Sequence, residues 1–171
     1  MVLPTVLSGE ETQRKEKIRR RKKEKNRSVK PLTVLEIERL MANKAYFAGI
    51  FDINILPNIF ISSYPVSLII YCDQHWVSIY FGKRVEIFDS LGGILDPKYV
   101  KLHSFIDNHA NGRSIYMIPQ IQSDTTNLCS YFSVYFLIMK SKQISFNKLL
   151  RQFSPNYAKN EQYVYNFITN L

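Results

Sequence analysis

Cysteine is scarce in this chain: Cys72 and Cys129 are the only two among 171 residues. That scarcity argues against a scaffold stapled by disulfides and suits a reducing compartment. Long apolar runs are missing too. The most apolar interior stretch, Ile59 to Tyr71, is interrupted by Pro65, and the opening MVLPTVLSGEE lacks both a basic leading region and a long apolar segment. Neither a secretion signal nor a membrane span is therefore expected. No repeat is discernible. With 46% hydrophobic residues, the chain can bury one core but is too short for two ordinary domains.

What the chain does have is a concentrated positive charge. Arg14 to Lys30 carry eleven Lys/Arg against two Glu, so residues 1–30 hold +7 of the total +9 once Glu10 and Glu11 are included, and the remainder is nearly neutral. RKEKIRRRKKEKNR has one apolar residue to bury, so residues 1–30 are expected to form a flexible or transiently helical basic tail and residues 31–171 the folded domain. The tail reads equally as a solubility or nuclear-import segment and as a nucleic-acid arm releasing counterions from phosphates. It contains no aromatic residue for base stacking.

Ordered structure is expected from Pro31. Thr33 and Glu36 have capping-box spacing before a helix with a stripe of Leu35, Ile37, Leu40 and Met41. SLIIYC reads as a buried strand. HWVSIYF and VEIFDSLGG read as two strands around a tight turn in which Gly82 can take a positive φ, with Asp89 ending the second before Ser90 and a flexible Leu91-Gly92-Gly93. A helix through Tyr99 to Asn108, a short strand SIYMIP, and two short amphipathic helices within FNKLLRQF and EQYVYNFITNL complete the pattern.

The segment QIQSDTTNLCSYFSVYFLIMK places a thiol where a polar loop meets an apolar run. Thr125, Thr126 and Asn127 are good caps for a helix buried on nearly all sides, which puts Cys129 in its first turn, where unpaired N–H groups and the dipole favour a thiolate. A lone cysteine beside an apolar run is also a common core residue. A nucleophile needs a base and an orienting group. His103 and His109 fall on a polar helix and read as solvated, whereas His75 opens a strand beside the one that Asp89 ends. A two-residue turn would put His75 and Asp89 on opposite faces. A three-residue turn, Gly82-Lys83-Arg84, pairs Phe81 with Val85 and Val77 with Asp89 and makes the two same-face diagonal neighbours. The three-residue loop is the expectation.

The order His75-Trp76, an acidic residue in FDSLGG, and Gln122 seven positions before Cys129 resembles adenovirus-type cysteine endopeptidases (adenain-like) and their virophage and Polinton relatives, within the SUMO-protease-like superfamily. FAGIFDINILP is similar to the segment before the histidine strand in the Polinton-side members, and the resemblance spans roughly residues 34–140. It implies an α+β, papain-like or SUMO-protease-like fold whose central mixed β-sheet packs against a buried helix carrying the nucleophile at its N-terminus. It implies Cys129 as nucleophile, His75 as general base and acid, Asp89 as the group holding the imidazole, and Gln122 as an oxyanion donor beside the Cys129 N–H. Gln120, nine positions before the cysteine, is a rival that closes the SIYMIP strand, and Trp76 would shield the pair.

The implied function is a cysteine endopeptidase processing capsid or core precursors of a virus or transposon at glycine-containing sites. It would require no metal or other cofactor and act as a monomer away from membranes, in the virion and the host nucleus or a cytoplasmic virus factory. DNA binding through residues 14–30 would stimulate it. Where the family usually has glycine, this chain has Gln74 before the histidine and Ser130 after the cysteine. A side chain at 130 is expected to crowd the substrate groove or shift the backbone. Cys72, three residues before His75, reads as a buried structural cysteine. Two other readings are a protease for SUMO or another ubiquitin-like modifier, against which the spacing of seven rather than six speaks, and a non-enzymatic basic nucleic-acid-packaging protein.

Overall fold

The computed structural model describes residues 29–93 and 96–171, so nearly all of the basic segment lies outside the described residues. The capping box forms as its spacing predicts: Glu36 N–H donates to Thr33 Oγ1 at 3.3 Å and Thr33 N–H donates to Glu36 Oε2 at 2.7 Å. Helix α1, Val34–Met41, follows. Its buried stripe is narrower than expected. Ile37 and Met41, one turn apart, are buried, while Leu35 is exposed because it points off that face.

Strands β1 (Phe47–Asp52), β2 (Val66–Cys72), β3 (His75–Phe81), β4 (Val85–Phe88) and β5 (Ile115–Met117) form one mixed sheet in chain order. The β1–β2 and β4–β5 pairs are parallel, and β2–β3 and β3–β4 antiparallel. Helix α2, Val100–Ala110, starts one residue later and ends two later than expected, closing at left-handed Asn111. Then come α3 (Cys129–Ser141), α4 (Phe146–Leu150) and α5 (Tyr157–Thr169).

Period-two alternation divides the apolar side chains between two cores. Leu68, Ile70, Val77, Ile79 and Phe81 pack with Leu102, Phe105 and Ile106 of α2. On the other face, Ile69, Trp76 and Phe88 pack with α3, and α1, α4 and α5 close around it through Ile37, Met41, Phe146, Leu149, Val164 and Ile168. Helix α3 is buried from Cys129 through Lys140, with Phe136 stacked on Phe88 at 4.7 Å. The molecule is thus α+β, a five-stranded mixed sheet with helices on both faces. His109 departs from the expectation of solvation. Its Nδ1 lies 2.8 Å from the Phe105 carbonyl and its ring packs against Phe105 and Phe81.

The two hairpins set the position of β3. Phe81 pairs with Val85, leaving the expected three-residue loop, closed by Gly82 N–H donating to Arg84 O at 3.0 Å. Gly82 does not use a positive φ. Glycine fits there for another reason: a Cβ would lie 2.5 Å from the Tyr80 ring. At the other end Cys72 pairs with His75 across Asp73 and Gln74, both left-handed (φ 49° and 65°), as two-residue hairpin turns require.

Candidate active site

Continuing the β3–β4 register sets Val77 opposite Asp89, so His75 is the diagonal neighbour of that carboxylate. The side chains meet: His75 Nε2 lies 2.6 Å from Asp89 Oδ1, with both residues buried. Asp89 Oδ1 also accepts the Leu91 N–H at 3.0 Å, which fixes the carboxylate from the turn that follows it. That turn is less free than its glycines suggest. Gly92 is left-handed (φ 69°), donates its N–H to Asp89 O, and leaves so little room that a Cβ would sit 3.0 Å from the Gln120 backbone nitrogen.

By alternation, His75 belongs to the sheet face covered by α2, while Cys129 stands on the helix covering the opposite face. They come together because His75 is the first residue of β3 and Cys129 the first of α3, so both lie at the end of the sheet, where its faces cease to be separate. Cys129 is 6% exposed. With Nε2 given to Asp89, Nδ1 is the nitrogen left for the sulfur. It is buried without a completed hydrogen bond, yet Cys129 acts on the ring closely enough to raise its affinity for a proton. Catalytic hydrogen bonds are commonly loose before substrate binds. Burial disfavours the charged ring, but the Asp89 hydrogen bond and the Cys129 sulfur outweigh it and push the His75 pKa up to about 9.

No side chain among the described residues caps α3. Its N-cap is Leu128, and the expected caps are used otherwise: Thr126 faces Gln122 and Glu161. The first-turn N–H groups beside Cys129 therefore lack a side-chain acceptor. A cavity of about 750 Å³ opens at this point, lined by Leu32, Val34, Phe51, Tyr71, Trp76 and Cys129. Trp76 is mostly buried and its ring tilts against Tyr71 at 4.8 Å. Gln74 also reaches the cavity, from a left-handed backbone that costs a non-glycine residue about 1–2 kcal/mol.

Gln122 is wholly buried in the loop leading to Cys129. Its Oε1 accepts from Ser90 Oγ at 2.6 Å, and its Nε2 donates to the Thr126 carbonyl at 2.9 Å and lies 3.2 Å from Thr126 Oγ1. Gln120 braces the same loop through Nε2, to Gln122 O at 3.0 Å and Asp124 Oδ1 at 2.7 Å. Cys72 is fully buried and its thiol is pushed up to about 12 by burial first and by the nearby Asp89 and Cys129 second.

Ser130 corrects the expectation of crowding. It is fully buried and is not among the residues that line the cavity, and its Oγ accepts the Leu32 N–H at 2.9 Å, tying the segment before α1 to the helix of Cys129. Sequence reasoning also missed Ser90 and Glu161. The first could have been suspected as the residue after Asp89. Glu161 lies on a different helix 39 positions after Gln122 and gives no signal in the sequence. No helix among the described residues is long and apolar enough to cross a membrane.

No protein-family model and no curated protein matches this chain. Among solved structures, the central domain of the uncharacterized Lpg1148 protein from Legionella pneumophila is similar at 12% sequence identity and a TM-score of 0.47, over 83% of this chain and 99% of that one.

Proposed function

We propose that this chain is a cysteine endopeptidase of the papain-like, SUMO-protease-like fold, of the adenovirus type that its residue order resembles. The observation that carries the reading is the hydrogen-bonded His75–Asp89 pair, with the unbonded ring nitrogen left for the thiol that starts a buried helix beside a cavity.

In this reading His75 already holds at Nδ1 the proton given up by Cys129, as its pKa of about 9 favours near neutral pH, and the sulfur attacks the scissile carbonyl carbon as the thiolate. The C=O electron pair moves onto oxygen, which is met by the Cys129 N–H and by Gln122. One N–H of Gln122 stays on the Thr126 carbonyl at 2.9 Å, and the other leaves Thr126 Oγ1, at 3.2 Å, to serve the oxyanion. Collapse breaks the C–N bond, and His75 gives its proton to the leaving amine. Water, deprotonated by His75, then displaces the sulfur and releases the acid. Asp89 keeps the ring oriented and stabilises its charged form. The chemistry draws on the chain's own side chains, the Cys129 backbone N–H and water.

The proposed substrates are capsid or core precursors cut at glycine-containing sites in a virion or virus factory, with residues 14–30 tethering a monomeric enzyme to nucleic acid. Incubating such precursors from the same genome with wild type and Cys129→Ala tests this. Defined fragments from wild type alone are expected. Identical patterns from both proteins would refute it. At near-neutral pH, limiting iodoacetamide should modify Cys129 before Cys72, and equal labelling would favour the packaging reading.

A further inference from the structure

We infer that Glu161 and Asn160, on the C-terminal helix α5, are positioning residues for the oxyanion side of the site, so that the last helix sets the rate of acyl transfer without touching substrate. The inference rests on the protease reading of Cys129 and Gln122.

The loop between β5 and α3 reaches Cys129 without regular secondary structure between Pro119 and Leu128. Helix α5 grips it at three points. Asn160, 2% exposed, donates from Nδ2 to Ile121 O at 2.9 Å, while its remaining bonds, with Ser154, anchor it to the segment before its own helix. Glu161 Oε1 accepts the Ser123 N–H at 2.8 Å and the Thr126 hydroxyl at 2.8 Å. Thr126 in turn receives Gln122 Nε2. Opposite, Ser90 O accepts the N–H groups of Ile121 and Gln122 at 2.9 and 3.0 Å, and Ser90 Oγ holds Gln122 Oε1. The amide of Gln122 is thus clamped at both ends. Its orientation is unambiguous, since the Thr126 carbonyl can only accept and so must face the nitrogen.

One clamp comes from the residue after Asp89 and the other from α5. Removing the α5 clamp leaves the His75–Asp89 pair intact but frees the loop that carries the oxyanion donor, and a displacement of about 1 Å there costs on the order of 100-fold in rate.

Two reagents separate these effects. Alkylation by iodoacetamide displaces iodide at a saturated carbon and forms no oxyanion. Acylation by p-nitrophenyl acetate joins Sγ to the acetyl carbon through a tetrahedral oxyanion and expels p-nitrophenolate. Glu161→Ala is expected to slow acylation of Cys129 about 10- to 100-fold while leaving its alkylation rate unchanged. Glu161→Gln, which keeps an acceptor oxygen, should restore acylation to within about threefold of wild type. Unchanged acylation in Glu161→Ala, or acylation and alkylation slowed alike, overturns the inference while leaving the protease reading standing. If wild-type Cys129 reacts with both reagents no faster than Cys72, the protease reading fails and the inference falls with it.

Discussion

The two ends of helix α3 bring charge-bearing groups together in different ways. At the C-terminal end, Lys140 Nζ sits 2.7 Å from Glu86 Oε2 and donates to Ile144 O at 3.3 Å, while Arg84 Nε donates to Glu86 Oε1 at 3.0 Å. Lys140 is 7% exposed and Glu86 4%. A cation at a helix C-terminus agrees with the dipole, and each carboxylate oxygen faces a cation of its own, Oε2 through charge alone and without a completed hydrogen bond. At the N-terminal end stand Cys129, His75 and Asp89. There, among the described residues, His75 Nδ1 and Asp89 Oδ2 are buried without a hydrogen-bond partner and the helix has no side-chain cap, and a cavity opens beside the sulfur. The same buried helix ends once in a closed ion pair, a carboxylate between two cations, and once open to a cavity beside a histidine–aspartate pair.

The largest expected effect lies at the closed end. Lys140→Ala leaves Glu86 buried with one cation fewer and should cost about 3–5 kcal/mol in urea or thermal unfolding. Lys140→Met, which refills the volume, should cost less than Lys140→Ala while still losing the pair. If Lys140→Ala unfolded like wild type, the closed end would not be the structural one.

The open end should make stability depend on pH. His75 binds its proton more tightly folded (about 9) than unfolded (about 6.5), so its contribution is complete below pH 6.5 and is lost as pH rises through 9. At about 1.4 kcal/mol per pH unit this amounts to at most on the order of 3 kcal/mol. Melting temperature should therefore fall between pH 6.5 and 9 in wild type and stay flatter in His75→Ala. Parallel profiles for the two proteins would remove the charged pair from the account.

A smaller effect sharpens the same contrast. Ser130→Ala strips the acceptor from the buried Leu32 N–H and should destabilise the protein by about 1–3 kcal/mol by denaturant titration. The initial rate of Cys129 alkylation should stay within about twofold, since Ser130 does not line the cavity beside Cys129. A large change in that rate with no loss of stability would mean that Ser130 serves the site directly.

Much of this was readable from residue order, for local reasons. The capping box at Thr33, the strands SLIIYC and HWVSIYF, and the three-residue loop follow from short-range periodicity and turn chemistry. His75 and Asp89 could be paired on paper because a strand register, once set, fixes which side chains are diagonal neighbours. The bonds that cross between elements were not readable. Ser130 with Leu32, Lys140 with Glu86, and Glu161 with Thr126 join residues 98, 54 and 35 positions apart. Nothing local distinguishes any of them from a solvated polar residue.

The chain's local pattern alone therefore determined strands joined by short turns, a nearly all-round apolar helix opening with a thiol, and a histidine and aspartate in bonding register, since each depends on short-range periodicity and turn chemistry, whereas the mixed sheet was implied only by the resemblance. Tertiary structure decided that the thiol and the imidazole share a place, although alternation assigns them to opposite faces. Both sit at element ends, where the sheet no longer separates its two sides, and only the packing of the helix on the sheet sets those ends together.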